Sequence, residues 1–199
     1  MRMMRRVLGM VIALAMCGAT VSAVAQAAKT NGAKPADAED YCMSTGGVME
    51  ARVPMYNTNG PKSGWLRLAG KQGFCQYTLA ADGSRIHVSL NTLYTTLPSL
   101  AALAYYSETP YNGGGGGANP ASFYCTQLGG SDSFGGVNAA GGGWVEIGTT
   151  DVVLEACIFP DGSTIDSWGL FYHSAAIIRG IDLSTVLRFA NPITSKEGK

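Results

Sequence analysis

The chain has 199 residues, with 14 basic side chains balancing 14 acidic ones. Basic residues nowhere cluster, which excludes the electrostatic footprint of a nucleic-acid binder. The same balance gives an anionic membrane surface nothing to attract.

Residues 1–25 read as an export signal. Arg2, Arg5 and Arg6 open it, Val7 to Cys17 forms an apolar run, and Ala23-Val24-Ala25 supplies a small-x-small cleavage site, so the mature chain is expected to start near Gln26. The apolar run is too short for a spanning anchor. Met16 is bulky where a lipoprotein signal needs a small residue before its cysteine, which argues against lipidation at Cys17. Arg5-Arg6 alone is a weak twin-arginine signal. Losing three arginines leaves 11 basic residues against 14 acidic, a net −3. The expected location is the periplasm or the medium.

Beyond the signal the chain says nearly the same thing twice. Tyr41-Cys42, Gly46-Gly47, Gly64-Trp65, Cys75 and Asp82-Gly83-Ser84 with Ile86 are answered by Tyr124-Cys125, Gly129-Gly130, Gly143-Trp144, Cys157 and Asp161-Gly162-Ser163 with Ile165. Such self-similarity predicts a duplicated unit. The expected organisation is a flexible leader at 26–36, a first copy at 37–106, a glycine-rich linker at 107–117, a second copy at 118–188 and a tail at 189–199. Gly113 to Gly117 lacks the following Lys-Ser or Lys-Thr of a phosphate loop and reads as a spacer.

Four cysteines remain after export, and an even count in an exported chain implies disulfides with three conceivable connectivities. A unit that once stood alone must close on itself, which selects Cys42 with Cys75 and Cys125 with Cys157. Each closure is worth about 3–4 kcal/mol in the chain-entropy model, which matters for units too small to bury a large core. A zinc site would want reduced thiolates and closer spacing.

In the second copy Asn119-Pro120 starts a helix over Ala121 to Leu128, which Gly129-Gly130 ends. Trp144 to Ile147 and Val152 to Phe159 read as strands about a turn at Gly148 to Asp151. Pro160-Asp161-Gly162-Ser163 is a tight turn, Thr164-Ile165 a short strand, and Asp166 or Ser167 the cap of a helix through Trp168 and Tyr172. The first copy offers Asp37-Ala38-Glu39-Asp40 as its helix start, carries three extra residues between Cys75 and Asp82, and has no tryptophan answering Trp168. Leu97 to Tyr106, with Pro98 near its start, supplies a closing helix. The predicted fold is α+β: two tandem disulfide-stapled modules, each helix, antiparallel strands, helix.

Asn119-Pro120-Ala121-Ser122-Phe123-Tyr124-Cys125 with Gly129-Gly130, then Cys157-Ile158-Phe159-Pro160-Asp161-Gly162-Ser163 and Asp166-Ser167-Trp168, resembles a small bacterial domain of unknown function whose members commonly carry a haemolysin label. The resemblance covers 118–172, with a degenerate copy at 37–94. Ser167 departs from the family, which usually has an acidic residue before the tryptophan. The resemblance implies an exported envelope protein, and defines no catalytic residues.

Candidate chemistry is sparse. Ser163, His173 and Asp161 could be assembled into a triad, but Asp161 and Ser163 already serve a turn and no nucleophile-elbow pattern surrounds them. Asp161, Ser163 and Asp166 could offer oxygens to calcium, yet turn and cap roles explain them more simply. No catalytic set, metal or cofactor is therefore expected. Trp65, Trp144, Tyr105 and Tyr106 are packing residues if buried and contact anchors if exposed. The expected function is a non-enzymatic binding or inhibitory module for an envelope protein. The first alternative is a membrane-active toxin, although Leu97 to Tyr106 is too short to cross a bilayer. The second is an envelope hydrolase.

Overall fold

The computed structural model describes residues 37–113, 119–132, 140–149 and 153–191. The expected export signal with Cys17, the expected leader, most of the glycine run and the chain from 192 onward lie outside the described residues.

Each half opens on a capped helix. Asp37 accepts from the Asp40 amide to start α1 (Ala38–Ser44), and Asn119 accepts from the amides of Ala121 and Ser122 to start α4 (Pro120–Gln127), with Pro120 at the first turn. Both helices end in the same way. The Gly47 amide donates to Cys42 O and the Gly46 amide to Met43 O; Gly130 and Gly129 repeat this on Cys125 and Thr126. These are Schellman ends, and they require the left-handed φ of +88° at Gly46 and +89° at Gly129. The second glycine of each pair answers a different constraint. A Cβ on Gly47 would overlap Cys75 Sγ, and one on Gly130 would overlap Cys157 Sγ. Each paired glycine is thus a helix stop followed by the seat of a disulfide.

The disulfides join Cys42 of α1 to Cys75 of β3 (Gln72–Thr78), and Cys125 of α4 to Cys157 of β7 (Ala156–Ile158). Each ties the opening helix of its half to the strand before an Asp-Gly turn. The remaining strands are β1 (Val48–Tyr56), β2 (Leu66–Arg67), β4 (Arg85–Ser89), β5 (Gly142–Glu146), β6 (Val153–Leu154) and β8 (Thr164–Asp166). The closing helix expected over Leu97 to Tyr106 is present, but it starts three residues later and another helix precedes it. A short α2 (Leu90–Tyr94) comes first, and α3 (Leu100–Ser107) begins only after Pro98, capped by Ser99 accepting from Ala102 N. Proline disfavours helical backbone in the residue before it, so Leu97 stays outside. Asp166 caps α5 (Ser167–His173) by accepting from Gly169 N.

All strands join one antiparallel sheet, in the order β6-β5-β1-β3-β4-β8-β7, with β2 added beside β1. The strands of each half stay together, β1-β3-β4 in the middle of this order and those of the second half around them, and the halves join where β5 lies against β1 and β8 against β4. The structure is α+β with two disulfides, but the sheet is common to both halves. Only Glu155 separates β6 from β7, so the two ends of this order belong to one extended segment. That segment has neighbours on both sides. Glu155 and Phe159 bond the β8 side, where Ser167 N donates to Glu155 O and Phe159 N to Ser163 O. Ile158 exchanges bonds with Ser131 on the other side, the side of β5. The sheet therefore closes on itself as a small barrel.

Directly paired residues share a face. Val88 pairs with Cys75, Ile165 pairs with Cys157, and Val88 and Ile165 pair with each other. These residues look outward into the larger core, where both disulfides, Leu93, Tyr105, Tyr124, Leu170 and Leu183 are buried between sheet and helices. The opposite face is the barrel interior, where Phe74, Trp144, Leu154 and Ala156 form a second cluster. Among the described residues no helix is long and apolar enough to cross a membrane.

Substituting Gly130 by Ala forces Cys157 Sγ to move. The expected result is a loss of roughly 2–5 kcal/mol, comparable with removing the disulfide itself in Cys157→Ser. Denaturant melts of Gly130→Ala, Cys157→Ser and the double variant check this. Simple addition of the two losses would contradict it, because the glycine matters only while the disulfide stands over it.

Candidate functional site

Four charged side chains converge inside the barrel. Glu50 and Arg52 sit two apart on β1, so both face inward, and both are buried. His87 projects from β4 and Asp166 from the end of β8; these are buried too. Arg52 Nε donates to Glu50 Oε2 at 2.8 Å, and Arg52 Nη1 donates to Trp144 O at 3.2 Å. His87 Nδ1 lies 3.1 Å from Asp166 Oδ2, and His87 Nε2 lies 3.5 Å from Glu50 Oε2. Both ring nitrogens thus meet a carboxylate, an arrangement that fits the doubly protonated ring.

Burial works against the charged imidazole, but hydrogen bonds to Asp166 and Glu50 outweigh it and raise His87 above the ordinary imidazole range. Burial likewise opposes ionisation of Glu50. The His87 hydrogen bond and the Arg52 charge overcome it and hold the carboxyl below the usual range. The quartet pairs two cations with two anions, the form in which buried charge is tolerated.

Two members of the quartet, His87 and Asp166, line a cleft of about 660 Å³. His87 and Asp166 lie at its base. Arg85 at the start of β4, Trp168 and Tyr172 of α5, and Arg179 stand around it, and Glu155 crosses one side. Glu155 Oε2 accepts from Asn119 Nδ2 at 2.6 Å and from Trp168 Nε1 at 2.9 Å. Asn119 and Trp168, far apart in the family-like motif, are therefore held by one carboxylate. Arg179 lies over the Tyr172 ring at 5.0 Å.

The other motif residues serve the fold. Tyr124 is buried, donates to Thr109 O, and meets Tyr111 and Phe171 edge-on. Gln127 donates to Pro110 O, so residues 109–111 lie along α4. Pro160, Asp161 and Gly162 make the turn after β7. Its side chains reach across to α3: Asp161 Oδ2 accepts from Leu100 N, and Ser163 Oγ accepts from Ala101 N while donating to Asp161. His173 instead stacks on Tyr105 with centroids 3.8 Å apart and approaches Glu108. Ser163, Asp161 and His173 therefore serve packing and capping contacts and do not assemble as a triad. Among the described residues no group of three or more His, Cys, Asp or Glu is placed to hold a metal ion, and Asp166 is turned to His87 and Gly169 rather than to Asp161.

Of the four aromatics that could pack or serve as contact anchors, Trp144, Tyr105 and Tyr106 are buried and pack, while Trp65 is half-buried. Trp144 packs edge-on against Phe74 in the interior, and Tyr105 and Tyr106 of α3 are buried against the segment after α5. The large apolar area of these three is drawn into the cores. The Trp65 indole donates to Gly60 O. Ala101, Ala102, Ala104, Tyr105 and Tyr106 are core residues too, so most of Leu97 to Tyr106 is committed to packing. Glu50, Arg52, His87, Arg85, Glu155 and Arg179 are the site residues that the sequence reading missed. The available signal was Glu50 and Arg52 at i and i+2 in a strand.

Residues 116–174 match the family model of a domain of unknown function (DUF333). No curated protein and no solved structure matches the chain.

A ring whose folded pKa exceeds its unfolded value stabilises the fold fully below about pH 6.5. That contribution fades as pH rises through the higher folded value. Glu50, with a lowered folded pKa, contributes above about pH 4.3, and this is lost as pH falls through its depressed value. Stability is expected to be greatest between these limits and to decline toward alkaline pH. His87→Gln should cost about 3–5 kcal/mol near pH 6 by leaving buried carboxylates uncompensated, and should flatten the alkaline decline. Urea melts of both proteins from pH 5 to 9 read this out; parallel pH profiles would refute the role of the ring.

Proposed function

We propose that the chain is an exported, non-enzymatic binding module whose ligand site is the cleft over His87 and Asp166. The observation that carries this is the cleft itself: an open cavity with half-buried aromatic side chains above a fixed base of buried charge. Glu50 has its contacts taken by Arg52 and His87, and Asp166 by His87 and the Gly169 amide. Such locked groups suit a rigid wall better than a proton relay. Two disulfides fit an oxidising environment outside the cytoplasm.

The reading includes duplication. Paired glycines, disulfides and Asp-Gly turns recur in both halves, and the Val88–Ile165 joint pairs residues that each face their own half's cysteine. Matching register makes Val88 the counterpart of Ile165, where motif spacing alone would choose Ile86. The hairpin β3–β4 is longer than β7–β8, which accounts for the shift. On this view a second cleft of about 510 Å³, bounded by Gly162, Lys71 to Gly73 and Asn91, corresponds to the first. Gly162 takes the place of Gly83, and Asn91 that of Trp168. Because the halves share one sheet, they act as one head with a single specialised cleft and not as two independent binding units.

Tyr172→Ala strips one aromatic wall while leaving the quartet in place. Full-length tagged protein cross-linked in its own envelope should recover its ligand or partner about tenfold less well after this change, a loss of about 1.4 kcal/mol, at an unchanged melting temperature. Undiminished recovery of the same component would remove the cleft from the binding role.

A further inference from the structure

Resting on the cleft reading above, we infer that the ligand is a small organic monoanion: a carboxylate carried on an apolar or ring-shaped body, with its charge held by Arg85 and Arg179.

The reasoning is an account of which charges in the cleft are already committed. The carboxylates are. Glu155 holds Asn119 and Trp168, and Asp166 holds His87 and the Gly169 amide. The His87 ring is committed as well, with a carboxylate at each nitrogen. The two guanidinium groups are not. Among the described residues neither Arg85 nor Arg179 forms an ion pair or donates a hydrogen bond, although both line the cleft. Arg179 is the more telling. It lies over Tyr172 and its Nε is buried without an acceptor. A buried donor left unpaired is uncommon and costly, and an arginine that serves structure usually finds a carboxylate or carbonyl. Its neighbour Asp82 is fully exposed and hydrogen-bonded to the Ser84 amide. The uncommitted charge of the cleft is thus positive.

Arginine matches planar oxyanions through a fork of parallel donors. Carboxylate is favoured over a doubly charged phosphate, because Glu155 and Asp166 stand in the same cavity and repel a dianion more strongly. Val153, Leu154, Trp168 and Tyr172 supply the apolar surface against which the body of such a ligand would lie. The corresponding second cleft lacks this set: Lys71, Gln72 and Asn91 line it, with no arginine among its lining residues and the buried Trp144 in place of two half-buried aromatics.

Calorimetric titration of the full exported chain with 4-phenylbutyrate and with its neutral amide tests the inference. The carboxylate should bind at least about tenfold tighter than the amide. Arg85→Gln, a change on an exposed side chain, and Arg179→Gln should each weaken the carboxylate about tenfold and leave the amide as it was. Arg179→Lys should recover only part of the loss, because it keeps charge but not the fork. If Arg179→Gln lowers the melting temperature, Arg85→Gln carries the test alone. Equal binding of acid and amide would overturn the anion preference while leaving the cleft as a binding site. Saturable binding by neither compound in the millimolar range would overturn both. Carboxylate binding unaffected by Arg85→Gln would also overturn the assignment.

Discussion

Neither half of this chain can satisfy its own strand edges, and the rest of the structure follows from that constraint. Taken alone, the first half would leave β1 and β4 with open rows of amide and carbonyl groups, and the second, with its short ladders β5–β6 and β7–β8, would leave β5 and β8 open. Unpaired edges of this kind invite aggregation, and units of this size bury too little surface for a secure core. Here β5 covers β1, β8 covers β4, and the segment from Val153 to Ile158 spans the remaining gap. Closure leaves an enclosed face, and enclosure is what allows Glu50, Arg52, His87 and Asp166 to sit together away from water. The disulfides then act locally. Each fixes one helix to one strand, and the glycine beneath each sulfur pair lets that helix approach closely enough.

The buried quartet and the cleft above it answer different needs. A buried ion pair is weak as a source of net stability, since desolvation offsets much of its attraction. Its geometry is nevertheless specific: Arg52 reaches Trp144 O on β5, Glu50 lies on β1, His87 on β4 and Asp166 on β8. The four charges thus cross-link strands from both halves and penalise any shift in register, which would leave one of them alone in the interior. The floor of the cleft is held by the same contacts that hold the halves together.

Local features were legible in the sequence because they depend on neighbours a few residues apart. Asp37, Asn119 and Asp166 as caps, the paired glycines as helix stops, and the turn at Pro160 to Ser163 all rest on such short-range chemistry. The cysteine pairing was legible for a different reason, the matching separation in the two halves. What was not legible was the joining of the two halves' strands into one closed sheet. The residues of β5 carry the same alternation whether they pair within their own half or with β1. Burial of the quartet followed from closure and was hidden with it: Glu50 and Arg52 on alternate positions look like the wet side of a sheet when no second face encloses them. Trp144 was ambiguous for the same reason, since its side of the strand became an interior only once the barrel closed.

The longer hairpin of the first half shows how a small sequence difference reaches the site. Extra residues between Cys75 and Asp82 are visible by inspection, and on their own they read as a loosened copy. In the structure they extend the β3–β4 ladder past the Cys75–Val88 pair to Tyr77–Ile86 and Thr78–Arg85. The shorter β7–β8 ladder ends at Ile158–Thr164 and has no counterpart of Arg85. Arg85 thus exists as a cleft residue only because one hairpin outgrew the other, and it stands opposite α5, whose Trp168 the first half also lacks. The asymmetry that makes the first half look degenerate is, on this geometry, what gives the two clefts different linings. One hairpin's extra length and the other half's aromatic helix meet across a single opening.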